Sequence, residues 1–475
     1  MVSILDSEGR LRELCARQGQ EHVFRFWDQL DDAQREQLLT ELDSLDFEEV
    51  SRLVAQHIKG QGAEMPLPHL EPAPFVRLPR TAEEVQEHRQ ARQRGEEVIR
   101  AGQVAAFLVA GGQGTRLGYD GPKGSFPIGV LSSKTFFQLF AEQIFATRRR
   151  YATDVPWYIM TSRDNDEVTR RYFATHNNFG LPAKDIIFLQ QGQMPAIDQE
   201  GRLLMESPHA LALAPDGHGG AIRALKRSGA LADMARRGVR YISHFQVDNV
   251  LIRIIDPDFL GFHVFAGSQM SSRMVRKRSA DERVGVFCLV DGRLRVIEYS
   301  DLPEELAEAR RPDGELQFNA GNIAIHIYDV AFVEQLNQRD YELPFHRAWK
   351  KVPFVNELSH RIRPRQPNAN KFEMFVFDAL PAARKTLVME VAREDEFGPV
   401  KSLTGEDSVE TAQRDQMRLA ARWCRAAGVE AETDPDGVPR FKIEISPLFA
   451  TCQDEFIEKM KAAGLKAVSR DTYFE

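Results

Sequence analysis

The sequence predicts an α/β fold with a large, doubly wound parallel sheet, a helical N-terminal appendage and a small C-terminal α/β tail. Short apolar runs such as Val104–Val109 are typical of parallel strands that are buried on both faces. Between about residues 104 and 250 these runs alternate with stretches of helical periodicity. Glycine-rich or polar segments follow several of the strands, at the edge where open sheets bind ligands.

Length and composition limit the possible classes of protein. At 475 residues the chain exceeds one ordinary core, and we expect an N-terminal helical region with a linker (1–100), a main α/β domain (101–400) and a small C-terminal domain (401–475). The net charge of −8 argues against bulk binding of nucleic acid or an anionic membrane. Four scattered cysteines without CxxC spacing suggest neither zinc nor a disulfide framework. With no long apolar run, a soluble cytoplasmic protein is expected.

The N-terminal hundred residues predict helices around a linker. Apolar residues recur at helical spacing from about residue 7 to residue 59, with Asp31 or Asp32 placed to cap a second helix. The five prolines of 61–79 predict an extended linker. Thr81 then caps a charged helix that ends near Arg100.

The stretch 108–124, LVAGGQGTRLGYDGPKG, predicts a phosphate loop delivered by a buried strand. Its glycines let the backbone turn and expose amides that attract anions. Arg116 can fork onto phosphate oxygens, and Lys123 supplies a point charge after the stiff Pro122. A dinucleotide fingerprint would need glycine where Leu117 stands, which weakens a nicotinamide oxidoreductase, and no P-loop register fits. A glycine-rich turn with two solvated cations remains the alternative.

Three further strand ends carry candidate ligand groups. Gln191 follows a predicted strand and can pair with the donor and acceptor edge of a pyrimidine, although a solvated glutamine fits equally. The second glycine loop, 213–220, precedes a helix predicted over 221–235, whose N-terminal amides can face ligand oxygens or simply form a helix entry. Asp248 follows the strand predicted over 241–247, where it can hold Mg²⁺ or act only as a cap.

The later chain predicts more antiparallel structure. The runs 284–286 and 294–299 predict a hairpin that turns at 291–292. Glu298 at its end is placed to accept hydrogen bonds from sugar hydroxyls, or is solvated. Asn322 begins a strand with one buried face, and His326 on that strand is expected to be a packed residue rather than a base.

The glycine loop with its PKG resembles the signature of the UDP-sugar pyrophosphorylase family, in particular its UDP-N-acetylhexosamine pyrophosphorylase branch. The segments FLQQG, LAPDGHGG, VDN, EYS, NAGN, PNANKFEMFVFD and REDEFGPVK resemble further family motifs in unbroken order, over about residues 102–447. This resemblance implies a Rossmann-like nucleotidyltransferase domain with a GT-A-like sheet. GHGG departs from the branch, which has asparagine at the position of His218, and histidine looks more like the UDP-glucose branch.

The resemblance also implies roles for particular residues. Two lysines, which alone would be surface charges, join the loop cations near the reacting phosphates. The catalytic set is Arg116, Lys123, Lys371 and Lys401; the nucleotide set is Leu108, Gly111, Gly112, Gln191 and Gly217; the sugar set is His218, Gly285, Glu298, Tyr299 and Asn322; and Asp248 holds Mg²⁺.

The implied activity is uridylyl transfer from UTP to N-acetylglucosamine 1-phosphate, releasing pyrophosphate. A sugar phosphate, with a second pKa of about 6, can attack the α-phosphorus without a general base or covalent intermediate. A UDP-glucose or broad-specificity enzyme is the alternative, and His218 either shifts selectivity towards glucose 1-phosphate or merely packs. A catalytically silent nucleotide-sugar sensor is less favoured, because it would lose the loop cations. We expect a monomer or weak dimer, with neither nucleic acid nor membrane as partner.

Overall fold

The computed structural model describes residues 4–60, 69–338 and 342–475, and these form a mixed α/β protein. In chain order the α-helices are α1 Ile4–Arg17, α2 Asp32–Asp43, α3 Phe47–Leu53, α4 Ala82–Arg100, α5 Phe136–Tyr151, α6 Asp166–Thr175, α7 Gly220–Arg227, α8 Ala230–Arg237, α9 Pro257–Ala266, α10 Glu304–Glu308, α11 Val330–Leu336, α12 Arg393–Glu396, α13 Val409–Ala426 and α14 Gln453–Ala463. The strands are β1 Leu70–Pro72, β2 Val104–Val109, β3 Trp157–Thr161, β4 Ile186–Gln190, β5 Gln193–Pro195, β6 Met205–Ser207, β7 Ala210–Leu211, β8 Leu213–Pro215, β9 Tyr241–Gln246, β10 Met270–Arg276, β11 Val286–Val290, β12 Arg293–Ile297, β13 Ala320–Asp329, β14 Phe345–Lys350, β15 Phe354–Val355, β16 Arg361–Ile362, β17 Ala369–Met374, β18 Thr386–Glu390, β19 Ile443–Ile445 and β20 Thr472–Phe474.

The central sheet is mixed rather than wholly parallel. Strands β9, β2, β3 and β4 are parallel neighbours, as the alternating pattern predicts. On the other side of β9 lies the antiparallel β13, followed by β11 and β1. β10 also pairs with β13, β18 pairs with β10, and β12 pairs with β11. The expectation of an open parallel sheet is therefore correct for one half only. The other half contains the hairpin β11–β12, whose short connection forces antiparallel pairing.

The described chain divides into two compact units. One contains the N-terminal helices with residues 191–221 and 343–378, and the other contains the central sheet and the C-terminal residues. The three-part division at residues 100 and 400 stays a prediction. Within the second unit, the C-terminal residues have a small hydrophobic core of their own around Phe456.

Local sequence chemistry accounts for several helix boundaries. Asp31, not Asp32, caps α2, because its side chain accepts the Gln34 amide in a capping box. Thr81 caps α4 as predicted, in a box with Glu84. The single helix predicted over 221–235 is wrong: the chain forms α7 and α8, separated by Gly229 at φ +78°.

The linker and the β13 prediction both need correction. Residues 61–68 of the predicted linker lie outside the described residues, but Leu70–Pro72 pairs with β11 and is therefore an edge strand. β13 is buried on both faces from Ile325 to Tyr328 rather than on one.

His326 is a packed residue, as predicted: it is fully buried and its Nδ1 lies 2.8 Å from the Ser272 hydroxyl.

In the part of the chain that the structure describes, no helix is both long enough and apolar enough to span a bilayer.

Candidate functional site

The first glycine loop leaves β2 and doubles back on itself. The Gly114 amide donates to the Gly121 carbonyl at 2.9 Å, and the Lys123 amide donates to the Gly112 carbonyl at 3.1 Å. The ring of Tyr119 fills the inside of the turn, where a Cβ on Gly114 would lie 2.8 Å from it. A Cβ on Gly124 would lie 2.2 Å from the Phe137 ring. Glycine is therefore required for packing at these two positions.

The tip of this loop presents open backbone donors. Among residues 4–60, 69–338 and 342–475, the amides of Gly111, Gly112 and Gln113 donate to no protein acceptor. Gly112 and Gln113 are solvent-exposed. Consecutive free amides at the carboxyl end of a parallel strand form an anion-binding concavity. The predicted exposure of loop amides is thus present in the structure.

A buried asparagine holds the loop in place. The Asn165 side chain donates to the Ala110 carbonyl at 2.9 Å and accepts the Ser162 amide at 2.9 Å. It is completely buried and follows β3, as Asp248 follows β9. The sequence pattern alone did not point to Asn165. A polar residue just beyond a buried strand was the available signal.

Four predicted residues come together beside the loop. Lys123 is partly buried, and its burial lowers its pKa. Asp248 opposes that change, whereas the positive charges of Arg116 and Lys401 lower the pKa further. These charge interactions indicate that the four side chains lie in the same region of the unit. Three cations and one carboxylate therefore share one strand edge, with an excess of positive charge.

Backbone bonds fix Asp248 relative to Lys401. The Val400 amide donates to the Asp248 carbonyl at 2.8 Å, and the Asn249 side-chain NH₂ group donates to the Glu396 carbonyl at 2.6 Å. The Lys401 ammonium lies 2.8 Å from the Asp407 carboxylate, and both side chains are substantially exposed. Asp407 is thus the ion-pair partner of Lys401 in this structure.

Three of the predicted sugar-contacting residues are neighbours in the same unit. The Asn322 amide donates to the Gly285 carbonyl at 2.8 Å, and a Cβ on Gly285 would lie 3.1 Å from the Glu298 carboxylate. The Asn322 side-chain oxygen accepts the Ala324 amide at 2.9 Å, and its NH₂ group supplies the donor capacity of the side chain. Tyr299 beside them is 49% exposed. The hairpin β11–β12 and the start of β13 create this group.

The other unit holds the second glycine loop. The Gln191 side chain donates to the Gly217 carbonyl at 2.6 Å, so these two predicted nucleotide residues are in contact. Gly217 has φ +84°, and a Cβ there would lie 2.3 Å from the Met374 carbonyl. The Gly219 amide donates to that carbonyl at 2.8 Å. The loop is therefore packed directly on the end of β17, the strand that carries Lys371.

His218 packs within its own loop. Its ring stacks on Phe375 with centroids 5.3 Å apart and tilts against Phe377. Its Nδ1 accepts the Val376 amide at 3.2 Å, so the neutral ring carries its proton on Nε2. Burial and the nearby His346 lower the pKa of His218 to about 4. These contacts agree with a histidine that packs within the loop. Any contact with a sugar would use the Nε2–H group as a donor.

Leu108 is placed differently from its predicted role. It is completely buried within β2 and paired with β3 and β9, so its side chain belongs to the core. Its assignment to nucleotide binding stays a prediction that this placement does not favour. In the described chain no cluster of three or more histidine, cysteine or carboxylate side chains could hold a metal ion. The assignment of Mg²⁺ to Asp248 stays a prediction.

An α/β sheet whose strand ends carry open loop amides, three cations and one carboxylate defines a protein that binds phosphate groups. The chain belongs to the UTP–glucose-1-phosphate uridylyltransferase family, whose model matches residues 52–411. The predicted family resemblance is confirmed, and with it the prediction of a nucleotidyltransferase.

Individual relatives are similar to this protein over most of the chain. UDP-N-acetylglucosamine diphosphorylase 1 of Arabidopsis thaliana is 37% identical, over 90% of this chain and 86% of its own. UDP-N-acetylglucosamine pyrophosphorylase of Saccharomyces cerevisiae is 36% identical, over 88% of this chain and 91% of its own. The crystal structure of uridine diphosphate N-acetylglucosamine pyrophosphorylase from Trypanosoma brucei, in complex with an inhibitor, superposes with a TM-score of 0.81 at 25% identity and covers 98% of each chain.

Proposed function

We propose that this protein transfers the uridylyl group of UTP to N-acetylglucosamine 1-phosphate, forming UDP-N-acetylglucosamine and pyrophosphate in the cytoplasm. The observation that carries the proposal is the grouping of Arg116, Lys123 and Lys401 with Asp248 beside open loop amides. The names and coverage of the relatives supply the nucleotide and the sugar. The fold is proposed to be the doubly wound, Rossmann-like form of a GT-A-like nucleotidyltransferase.

The first glycine loop and its cations bind the part of UTP that leaves. Amides of Gly111 and Gly112 contact phosphate oxygens, while Arg116 and Lys123 neutralise the charge that develops on the departing pyrophosphate. Because Lys123 is partly buried, its charge acts in a medium of low dielectric and is weakly screened. In this role the cations stabilise the transition state more than the bound substrate.

Asp248 is proposed to hold Mg²⁺. It lies at a strand end among cations, and its partly exposed carboxylate fits an ion whose remaining ligands are phosphate oxygens and water. When bound, Mg²⁺ neutralises phosphate charge and helps to fix its geometry. The backbone bond from Val400 sets the position of Asp248, and Lys401 faces the same phosphates after separating from Asp407.

The remaining roles follow the family pattern. Gln191 and Gly217 contact the uracil and Lys371 contacts a reacting phosphate. Gly285, Glu298, Tyr299 and Asn322 contact the hexose, with His218 donating from Nε2. No side chain is required as a base, because the sugar phosphate is already largely dianionic near pH 7. The protein contributes positioning and charge neutralisation.

A panel of sugar 1-phosphates tests this proposal. Full-length protein is incubated with UTP, Mg²⁺ and the 1-phosphates of N-acetylglucosamine, N-acetylgalactosamine and glucose, and pyrophosphate release is followed. We expect the highest kcat/KM with N-acetylglucosamine 1-phosphate. If none of the three sugar 1-phosphates led to pyrophosphate release, the proposed transfer would be refuted. A preference for glucose 1-phosphate would identify the UDP-glucose alternative. An unchanged selectivity ratio in His218→Asn would remove His218 from the sugar site.

A further inference from the structure

A separate cavity lies inside the unit that contains the central sheet. It measures about 270 Å³, close to the lower end of about 300 Å³ for small-molecule pockets and equal to the liquid volume of roughly nine waters. Its walls come from residues 250–253 after β9, residues 389–396 before Lys401, helices α5 and α13, and the segment before α14. None of the proposed substrate-binding residues lines it.

The walls combine apolar surface with charged groups, most of which are paired with one another or with neighbouring residues. Leu139, Leu251, Val391, Leu419, Trp423 and Ala450 supply apolar and aromatic surface. The charged groups on the wall are paired: Glu396 with Arg273 at 2.6 Å, Asp395 with Arg422 at 2.6 Å, Arg253 with Asp256 at 3.2 Å, Asp258 with Arg92 at 2.9 Å and Glu390 with Arg276 at 2.5 Å. The Glu444 carboxylate accepts the Leu131 and Ser132 amides. Glu444 has no cation in this set of pairs, but its charge is already stabilised by the two amides, so the cavity favours an uncharged molecule over an ion.

We propose that this cavity binds an uncharged organic molecule with an aromatic ring. Trp423 and the aliphatic residues receive the ring.

Occupancy of the cavity is coupled to the strand edge that carries Asp248. The Val250 amide donates to the Gly398 carbonyl at 3.3 Å, and the Gly398 amide donates to the Asn249 side chain at 2.9 Å. The Val400 amide donates to the Asp248 carbonyl at 2.8 Å. A molecule in contact with residues 250–252 and 395–396 therefore touches the backbone that positions Asp248 and Lys401. This coupling rests on the proposed function, whereas the binding site does not.

Cys452 offers a selective reporter of occupancy. It is partly exposed on the cavity wall, with its sulfur 3.8 Å from the Arg150 guanidinium. The other three cysteines are buried, and burial raises their pKa values to about 11 for Cys15, 12 for Cys288 and 11 for Cys424. N-phenylmaleimide should therefore alkylate Cys452 selectively. The sulfur bonds to one alkene carbon, the thiol proton ends on the other, and nothing leaves.

The test measures alkylation of the full-length chain by intact mass, with and without N-phenylsuccinimide, the saturated analogue that cannot react. We expect N-phenylsuccinimide to slow the alkylation of Cys452 in the wild type at least fivefold, and this effect should saturate with its concentration. Leu419→Trp, which fills the cavity, should abolish this protection, and Trp423→Ala should weaken it. Arg425→Trp, which adds the same side chain at an exposed position of α13, should retain it. Cys452→Ser should not be labelled.

Absence of saturable protection in the wild type, or equal protection in folded Leu419→Trp, would overturn the site. Saturating N-phenylsuccinimide should also change the KM for UTP at least threefold in the wild type and not in Leu419→Trp; an unchanged KM would overturn the coupling. The mass measurement needs no turnover, so its failure is distinguishable from a failure of uridylyl transfer, which the sugar panel detects.

Discussion

Both glycine loops contain close-packed glycines, but the first also presents open amides and cations. In the first loop, the amides of residues 111–113 are open and cations stand beside them. In the second, Gly217 and Gly219 lie against Met374 so closely that a Cβ at either position would meet backbone atoms at 2.3 and 2.7 Å. Changes to the cations of the first loop should therefore alter turnover, whereas changes to Gly217 or Gly219 of the second loop should alter stability.

The largest expected effect is the loss of a loop cation. Arg116→Ala and Lys123→Ala should each reduce kcat by about 10²–10³-fold, because each removes charge stabilisation from the leaving pyrophosphate. The melting temperature should stay near that of the wild type. Steady-state kinetics and thermal unfolding measure both quantities, with Lys466→Ala, an exposed lysine in the C-terminal region, as control. A wild-type kcat with normal UTP binding would remove that cation from the site.

Asp248→Asn should come next, because it keeps the shape of the side chain and removes the metal ligand's charge. The Mg²⁺ concentration for half-maximal activity should rise at least tenfold, equivalent to about 1.4 kcal/mol. A magnesium titration of the initial rate measures this shift. Asp436→Asn, an exposed carboxylate far along the chain, is the matched control. An unchanged requirement with retained activity would place the ion elsewhere.

Gly217→Ala should destabilise its unit. The new Cβ adds left-handed strain of about 1–2 kcal/mol and an overlap with Met374 of about 1–3 kcal/mol. Gly229→Ala separates the two contributions, because Gly229 has φ +78° but nothing within 4 Å of an added Cβ. Urea unfolding should show the larger loss for Gly217→Ala. Equal losses would mean that close packing on β17 contributes nothing.

The smallest effect concerns acid stability and His218. Its pKa of about 4 lies below the ordinary 6.5, so between these values the unfolded state binds more protons than the native state. The stability that neutral His218 contributes is complete above about pH 6.5 and is lost as the pH falls towards 4, by at most about 3 kcal/mol. His218→Asn should show a smaller loss of unfolding free energy between pH 7 and pH 4.5 than the wild type. The exposed His360→Asn is the control, and identical losses in all three proteins would contradict the assignment.

The sequence predicted what depends on local pattern. The apolar run of β2 specified a strand buried on both faces, and the Asp-Gly pair at 291–292 specified the β11–β12 turn. It did not predict the pairing of β13 with β9, because that contact joins distant segments and hydrophobic periodicity carries no information about strand order.

The candidate site shows the same division. Loop residues Arg116 and Lys123 were found from their spacing, and Lys401 only from the resemblance. Asn165 and Asp407 were missed because each acts through one tertiary hydrogen bond or ion pair. The identity of the residue gives no sign of such a partner. Leu108 was assigned a ligand role although its place within an apolar strand favoured the core.

The most direct test of the first loop as the pyrophosphate site is calorimetric titration. Inorganic pyrophosphate and UDP-N-acetylglucosamine are titrated separately, with Mg²⁺, into the wild type, Arg116→Ala and Lys123→Ala. The affinity for pyrophosphate should fall at least tenfold in both variants, while that for UDP-N-acetylglucosamine stays within twofold of the wild type. Equal losses for both ligands, or no loss for pyrophosphate, would contradict the assignment of these cations to the leaving group.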